Sequence, residues 1–428
     1  MGYITGSVFN FAGYQGEIMA VYEKPQTAQE LGLMQGFPPA SNLTVTHANQ
    51  LFFPYNRWSF QNELKLNRTA DVWRGNGAVV PLEYDLRDLG HVTYQNRAGT
   101  TFSFDDMIEM SFTDGIIVLH QGKVIYERYL NGMQRHTLHA WASGSKSMTG
   151  TLAAMLAHEG VFNLDDPVVR YLPELAHSGY GDATIRQVMD MTTSVRFSDD
   201  EHDPVSENWQ YSVAMGWREK PADYTGKVSG YDFLPTIQKA GEHGERFTYL
   251  TTNTDVMAWI MKRLLNQSLA DIMQERIWSK LGVERDAFWI VAPSTEETAG
   301  SGLLTTLPDM ARFGQMLLGH GYFNGQQIVP AAVADDFANG ASQKAFAKGP
   351  AASPGNVGWS YHNQWWVTHN DYRAYLAMGY GGQLLYIAPG ADLVIAKFSS
   401  YPTPTPAGNE FYSAFAAFPA LAKVLAET

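Results

Sequence analysis

Two groups of strand-like runs stand far apart in this chain, with helix-period sequence between them, and that order most restricts the folds open to it. Gly115-Ile-Ile-Val-Leu-His120 and Lys123-Val-Ile-Tyr-Glu-Arg-Tyr129 flank Gln121-Gly122 and predict a hairpin. The C-terminal third predicts further strands at 357–367, 373–378, 383–388 and 392–399, the later ones separated by glycines and by Ala388-Pro389-Gly390. Between the groups the pattern predicts helices at 184–192, 231–240 and 253–266, with a polar, aromatic loop from Phe197 to Tyr224. A last helix is predicted over 409–426. Strands at both ends around helices give an α+β chain, a sheet domain holding an inserted helical domain. The division expected is 101–163 with 281–428 for the sheet domain and 164–280 for the mainly helical one. Residues 1–100 read as an irregular segment packed on the main body. Phe52, Phe53, Tyr55, Trp58 and Phe60 argue against disorder there.

The 428 residues, 45% hydrophobic and 17% charged, are enough for a large core. A net charge of −13 argues against a nucleic-acid partner, because phosphate-backbone binding wants clustered Lys and Arg. The chain has no cysteine, which excludes disulfides, zinc-thiolate sites and thiol catalysis. Its first residues show neither a basic region nor a long apolar stretch, so no signal peptide is read and a cytoplasmic location is expected. No run approaches the 18 or so apolar residues of a membrane span, so no membrane partner is expected. The oligomeric state is left open, a homodimer included.

Chemistry concentrates at Trp141-Ala-Ser143-Gly-Ser-Lys146-Ser-Met-Thr149-Gly150, which holds the only Ser-x-x-Lys in the chain. Residues three apart share a helix face, so Ser143 Oγ and Lys146 Nζ can meet. An alcohol needs an adjacent base to become a nucleophile, and a desolvated lysine can lose its proton and serve. The first turn of a helix adds N–H groups that favour developing negative charge. Met148, Leu152, Met155 and Leu156 continue as an apolar stripe as far as Gly160, which places the pair on a rigid element. The plainer alternative is a helix cap followed by a surface lysine.

Two further segments qualify. Tyr249, just before the helix that contains Asn253, can project its phenol into a cleft; beside a protonated lysine its pKa is expected to fall from about 10. An ordinary buried phenol is the alternative. Met378-Gly379-Tyr380-Gly381-Gly382-Gln383 lies between two strands, where glycine allows close backbone approach and a strand N–H can serve as half of an oxyanion hole. A tight hairpin without chemistry explains it equally well. The chain has neither Gly-x-Ser-x-Gly nor His-Glu-x-x-His, and His136 and His139 read as ordinary polar or capping residues.

Together and in this order these segments resemble the serine β-lactamase and penicillin-binding-protein superfamily, of the class C and carboxylesterase type. Leu164-Asp-Asp-Pro-Val-Val-Arg-Tyr-Leu-Pro-Glu-Leu175 and Gly302-Leu-Leu-Thr-Thr-Leu-Pro-Asp-Met-Ala-Arg-Phe-Gly314 add to the likeness. Asn56-Arg57-Trp58, Gln187-Val-Met-Asp-Met191, Asn253-Thr-Asp-Val-Met-Ala-Trp259, Gln364-Trp365-Trp366 and Lys397-Phe-Ser-Ser-Tyr-Pro402 are similar to its nylon-oligomer hydrolase branch, from about residue 54 onward. The resemblance implies a β-lactamase-like fold, an antiparallel sheet flanked by helices, and a serine hydrolase that cleaves small-molecule amides or esters through an acyl-enzyme without a cofactor. It implies Ser143 as nucleophile, Lys146 as base or proton relay and Tyr249 as second proton carrier. It further implies an oxyanion hole from the N–H groups of Ser143 and Tyr380, with Gly379 and Thr251 at the substrate.

Trp217 falls where that branch has a tryptophan on its substrate loop, and Gly216 beside it can act as a hinge. Glu201 stands where the branch has a tyrosine; it or the Asp199-Asp200 pair can meet a substrate ammonium group. Tyr249-Leu-Thr251 replaces the Tyr-x-Asn of the penicillin-recognising enzymes, and Ala377-Met378-Gly379 replaces their Lys-Thr-Gly. Both changes disfavour a β-lactam substrate. The competing expectations are a carboxylesterase for short acyl esters, then β-lactamase or D-peptidase action, then a non-catalytic binding module on the same fold.

Overall fold

The computed structural model describes residues 25–96, 98–198, 200, 203–402 and 409–427. Its centre is an eight-stranded sheet of β1 (Glu83–Tyr84), β2 (Thr113–His120), β3 (Lys123–Tyr129), β4 (Ser360–His362), β5 (Trp365–Val367), β6 (Tyr375–Gly379), β7 (Gln383–Ala388) and β8 (Leu393–Ser399). The strand order is β4-β5-β6-β7-β8-β2-β3-β1, so the two distant strand groups meet where β8 pairs antiparallel with β2. Every pairing in the sheet is antiparallel except that of β1 with β3.

Side chains alternate across a strand, and here both faces are covered. Ile117, Leu119, Leu385, Val394 and Ala396 join one core, which includes helices α1 (Ser145–His158), α2 (Thr251–Leu265) and α3 (Leu307–Leu318). Ile116, Val118, Leu384, Tyr386 and Ile395 join a second core with Phe418 and Leu421 of helix α4 (Asn409–Ala426). Burial on both sides explains why β2, β7 and β8 read as nearly unbroken apolar runs. Each fully buried aliphatic or aromatic side chain contributes about 1.5–3 kcal/mol relative to an exposed one. A smaller sheet, ordered Thr69–Val72, Ala287–Ile290, Leu303–Thr305, His139–Ala140, ends one residue before Trp141.

The segment before residue 100 is tied down by buried charge. Arg57 donates to Asp114 at 2.9 Å, to Ser400 Oγ at 2.8 Å and to the Phe112 carbonyl at 3.1 Å. Asp114 also faces His139 Nε2 at 3.0 Å, and Asn56 donates to the Tyr401 carbonyl at 2.7 Å. Asn56-Arg57 and Ser400-Tyr401, noted separately in the sequence, are thus halves of one clamp.

The structure departs from the sequence reading at four places. The single strand expected over 357–367 is a hairpin, β4 and β5, turning at Asn363-Gln364 with φ of 49° and 66°. Positive φ at both central residues is what a tight two-residue hairpin turn demands. Helix 231–240 is one turn, Gly230–Phe233, then a 3₁₀ turn, Leu234–Thr236, because Pro235 cannot donate within a helix. The loop Phe197–Tyr224 contains a helix, Glu207–Ala214, capped by Ser206, which accepts from the Trp209 N–H. Residues before 100 contribute β1 and the strand Thr69–Val72 rather than irregular coil alone. Among the described residues no helix is long and apolar enough to cross a membrane.

Candidate active site

Ser143 lies just ahead of the helix, on a 3₁₀ turn, Ala142–Gly144, leading into α1. Ala142 has φ of 45°, a left-handed conformation that costs a non-glycine residue roughly 1–2 kcal/mol. The surroundings hold it there. Trp141 is fully buried and its Nε1–H donates to Thr305 Oγ1 at 2.6 Å. Ser145 Oγ donates to the Ala142 carbonyl at 2.7 Å and accepts from the Leu303 N–H at 3.0 Å. The α1 helix behind it is buried all round from Ser145 to Leu156, so Met148, Leu152, Met155 and Leu156 are core as expected. Ser147 and Thr149 fix it further through the Gln364 and Ala299 carbonyls at 2.8 and 2.9 Å.

Lys146 Nζ stands 3.1 Å from Ser143 Oγ and 2.9 Å from the Gly300 carbonyl, with 1% of the residue exposed. Burial lowers its pKa to about 7, opposed only in part by the charge of Asp255. Near neutrality a large share of Lys146 is therefore the free amine, able to accept the Ser143 proton. Tyr249 leads into α2, and Lys146 Nζ lies 4.9 Å from its ring centroid. The expected fall in the Tyr249 pKa is not what this environment gives: complete burial pushes the phenol up, and hydrogen bonding to Ser143 offsets only part of that. A buried phenol far from water finds ionisation costlier than a nearby ammonium can repay. Tyr249 stays protonated and its O–H is available as a donor.

The third wall comes from the end of β6. A Cβ on Gly379 would collide with the Trp141 carbonyl, so glycine lets this strand close onto the Ser143 turn. Tyr380 follows, its O–H donating to the Leu51 carbonyl at 2.7 Å. Ser143, Thr251, Trp217 and Tyr380 line one cleft that is open to solvent. Leu51, Phe60 and Ile290 give it apolar walls.

Gly216, with φ of 75°, ends the helix before Trp217, and a Cβ there would strike Pro293 Cδ at 2.4 Å. Trp217 packs edge-on against Tyr211 with ring centroids 5.2 Å apart. Tyr211 donates to Asp255, whose carboxyl is pushed up to about 7 by burial.

Of the other residues read from the sequence, Asp199 and Glu201 lie outside the described residues, and Asp200 is exposed and away from the cleft lining. Three contributors escaped the sequence reading. Gly300 presents its carbonyl to Lys146, Asp255 sets charge behind it, and Glu63 places a carboxyl group in the cleft. None lies in a recognisable motif with Ser143. Asp255 alone had a signal, being four residues after Thr251 and so on the same face of α2.

A buried Ser-Lys pair at the mouth of such a cleft, on this sheet, defines a serine hydrolase of amide or ester bonds. The chain belongs to the beta-lactamase family, which matches it over residues 111–417. It is 34% identical over 355 residues to the 6-aminohexanoate-dimer hydrolase of Paenarthrobacter ureafaciens, covering 82% of this chain and 87% of that one. It is similar to the solved structure of a Bacillus anthracis protein provisionally assigned as a 6-aminohexanoate-dimer hydrolase, with a TM-score of 0.81, 34% identity and coverage of 91% and 99%. EstCE1, described as a hydrolase with promiscuous acyltransferase activity, shares the fold at a TM-score of 0.56 with 16% identity, over 72% of this chain and 95% of its own.

Proposed function

We propose that the protein hydrolyses small linear amides of the 6-aminohexanoate-dimer kind by two-step acyl transfer at Ser143. The observation that carries this reading is the 3.1 Å contact between Ser143 Oγ and a buried Lys146 whose pKa lies at about 7. Lys146 takes the Ser143 proton as Oγ attacks the carbonyl carbon. The resulting oxyanion is met by the backbone N–H groups of Ser143 and Tyr380, each worth about 3 kcal/mol in such sites. Tyr249, protonated and hydrogen-bonded to Ser143, passes a proton to the departing amine and is restored from Lys146. Water then attacks the acyl-enzyme by the same route in reverse. Trp217 and Thr251 bound the substrate in the cleft.

A second reading, a carboxylesterase for short acyl esters, is favoured by the apolar wall of Leu51, Phe60 and Ile290, which asks for no amide N–H. Release of 6-aminohexanoate from its linear dimer, beside turnover of p-nitrophenyl acetate and with Ser143→Ala as blank, separates the two. Serine-dependent dimer cleavage supports the first, and ester turnover without dimer cleavage supports the second. Ser143→Ala activity close to that of the unaltered protein overturns both.

A further inference from the structure

Glu63 is the feature of the cleft that the acyl-transfer chemistry leaves unexplained. It lies with Ser143 in the lining of the same cleft, yet 5% of the residue is exposed. Among the described residues its carboxylate has no cationic partner; its one side-chain contact is the Asn67 amide, donating to Oε2 at 2.5 Å. Asn67 is held in turn by Gln50, whose Oε1 accepts from Asn67 Nδ2 at 2.9 Å. The carboxylate is thus oriented by two amides on a short 3₁₀ turn, Glu63–Lys65, and not left to rotate. No other carboxylate and no Lys or Arg is found among the described residues lining the cleft.

A carboxylate out of water with no counter-charge is expensive to keep, and burial pushes the Glu63 carboxyl up to about 8. A structural role would be met by glutamine at no such cost. A site that pairs a cationic group of its substrate, in contrast, needs an oriented, desolvated carboxyl that is neutral while the cleft is empty and ionises when the cation arrives beside it.

We propose that Glu63 is the specificity residue that receives the terminal ammonium group of the substrate's acyl portion, selecting ω-amino acyl compounds over neutral ones. This rests on the acyl-transfer reading of the same cleft. The linear dimer of 6-aminohexanoate carries its ammonium on the acyl half, so the pairing would seat the scissile carbonyl from its far end. The occupant supplies the missing charge, and Asn67 keeps the second oxygen.

The test is a matched pair of activated esters, 6-aminohexanoate p-nitrophenyl ester and hexanoate p-nitrophenyl ester, given to the full chain and to Glu63→Gln. The intact protein should favour the amino ester by at least tenfold in kcat/KM, chiefly through KM. Glu63→Gln, with its fold checked by circular dichroism, should bring that ratio to within about twofold of one. Equal treatment of the two esters by the intact protein, or a preference that survives Glu63→Gln, overturns the assignment. Calorimetric titration with n-hexylammonium chloride reads the site without turnover. Binding lost in Glu63→Gln supports the assignment, and binding equal in both proteins, or absent from the intact protein, overturns it. Absence of Ser143-dependent turnover on both esters would instead count against the acyl-transfer reading alone.

Discussion

Lys146 and Gly300 are locked together: the lysine Nζ donates to the glycine carbonyl at 2.9 Å, and a Cβ on Gly300 would come within 3.2 Å of that same Nζ and 2.6 Å of Thr251 Cγ2. The amine is held by backbone on one side and by Ser143 Oγ on the other. Gly300→Ala should therefore displace Lys146 or Thr251 while leaving the rest of the core in place. The expected result is a loss of about 10²-fold in kcat/KM, as geometric misplacement by an ångström produces, with a stability loss of about 1–3 kcal/mol from overpacking. Steady-state kinetics beside thermal unfolding checks this. A large stability loss with unchanged kcat/KM would remove Gly300 from the site.

The pH dependence follows from Lys146. Its folded-state value is lowered to about 7, and the proposed acyl transfer uses the neutral form, so kcat/KM on a neutral ester, which makes no demand on Glu63, should rise with pH and level off above about 7. Below that limb it should drop tenfold per pH unit. Lys146→Arg keeps the charge but cannot give up a proton, so it should lose about 10²–10⁴-fold and show no limb near 7. A limb that persists in Lys146→Arg would assign the titration to another group, and Asp255, pushed to about 7 beside it, would be the first to replace.

How much of this was legible beforehand divides along physical lines. The β2–β3 hairpin, β7 and β8 were readable because short apolar runs bounded by glycine turns are local signals. Ser143, Lys146 and Tyr249 were readable because their spacing and order are themselves the pattern, and the structure brings all three together. The Asn363-Gln364 turn was hidden because neither residue is a glycine, although both take positive φ. Gln364 reaches that conformation because its side chain and carbonyl are spent on Thr254, Ser147 and the Met189 carbonyl, contacts from distant parts of the chain. Glu63 and Gly300 were hidden for the same reason. Their meaning depends on what folds against them, and nothing in their own neighbourhood of sequence carries it.

His362 makes that hairpin pH-sensitive. Its ring bridges Asp190 at 3.0 Å and Asp336 at 2.8 Å, and although burial opposes the charge, these carboxylates raise its value from 6.5 to about 9. A histidine raised on folding contributes stability that is fully present below its unfolded value of about 6.5 and is lost as pH rises through about 9. The contribution is on the order of 2–3 kcal/mol. Thermal unfolding should therefore show a fall in Tm between pH 7 and 10 that His362→Gln flattens. An equal slope in both proteins would place the titration elsewhere.

Glu63 predicts the opposite sense of substitution, a gain in stability. Its value is raised from 4.5 to about 8, so its contribution is intact below 4.5 and is lost as pH rises through 8. Glutamine preserves the acceptor for Asn67 and removes the charge. Glu63→Gln should match the intact protein near pH 4.5 and exceed it progressively toward pH 8, by roughly 1–3 kcal/mol after relaxation around the group. Functional residues often cost stability in this way. An alkylammonium ligand should narrow the gap, because it stabilises only the protein that binds it. Tm measured from pH 5 to 8, with and without n-hexylammonium, reads both effects. A Glu63→Gln protein less stable at pH 8 than its parent would make the carboxylate a structural group rather than a waiting receptor for charge.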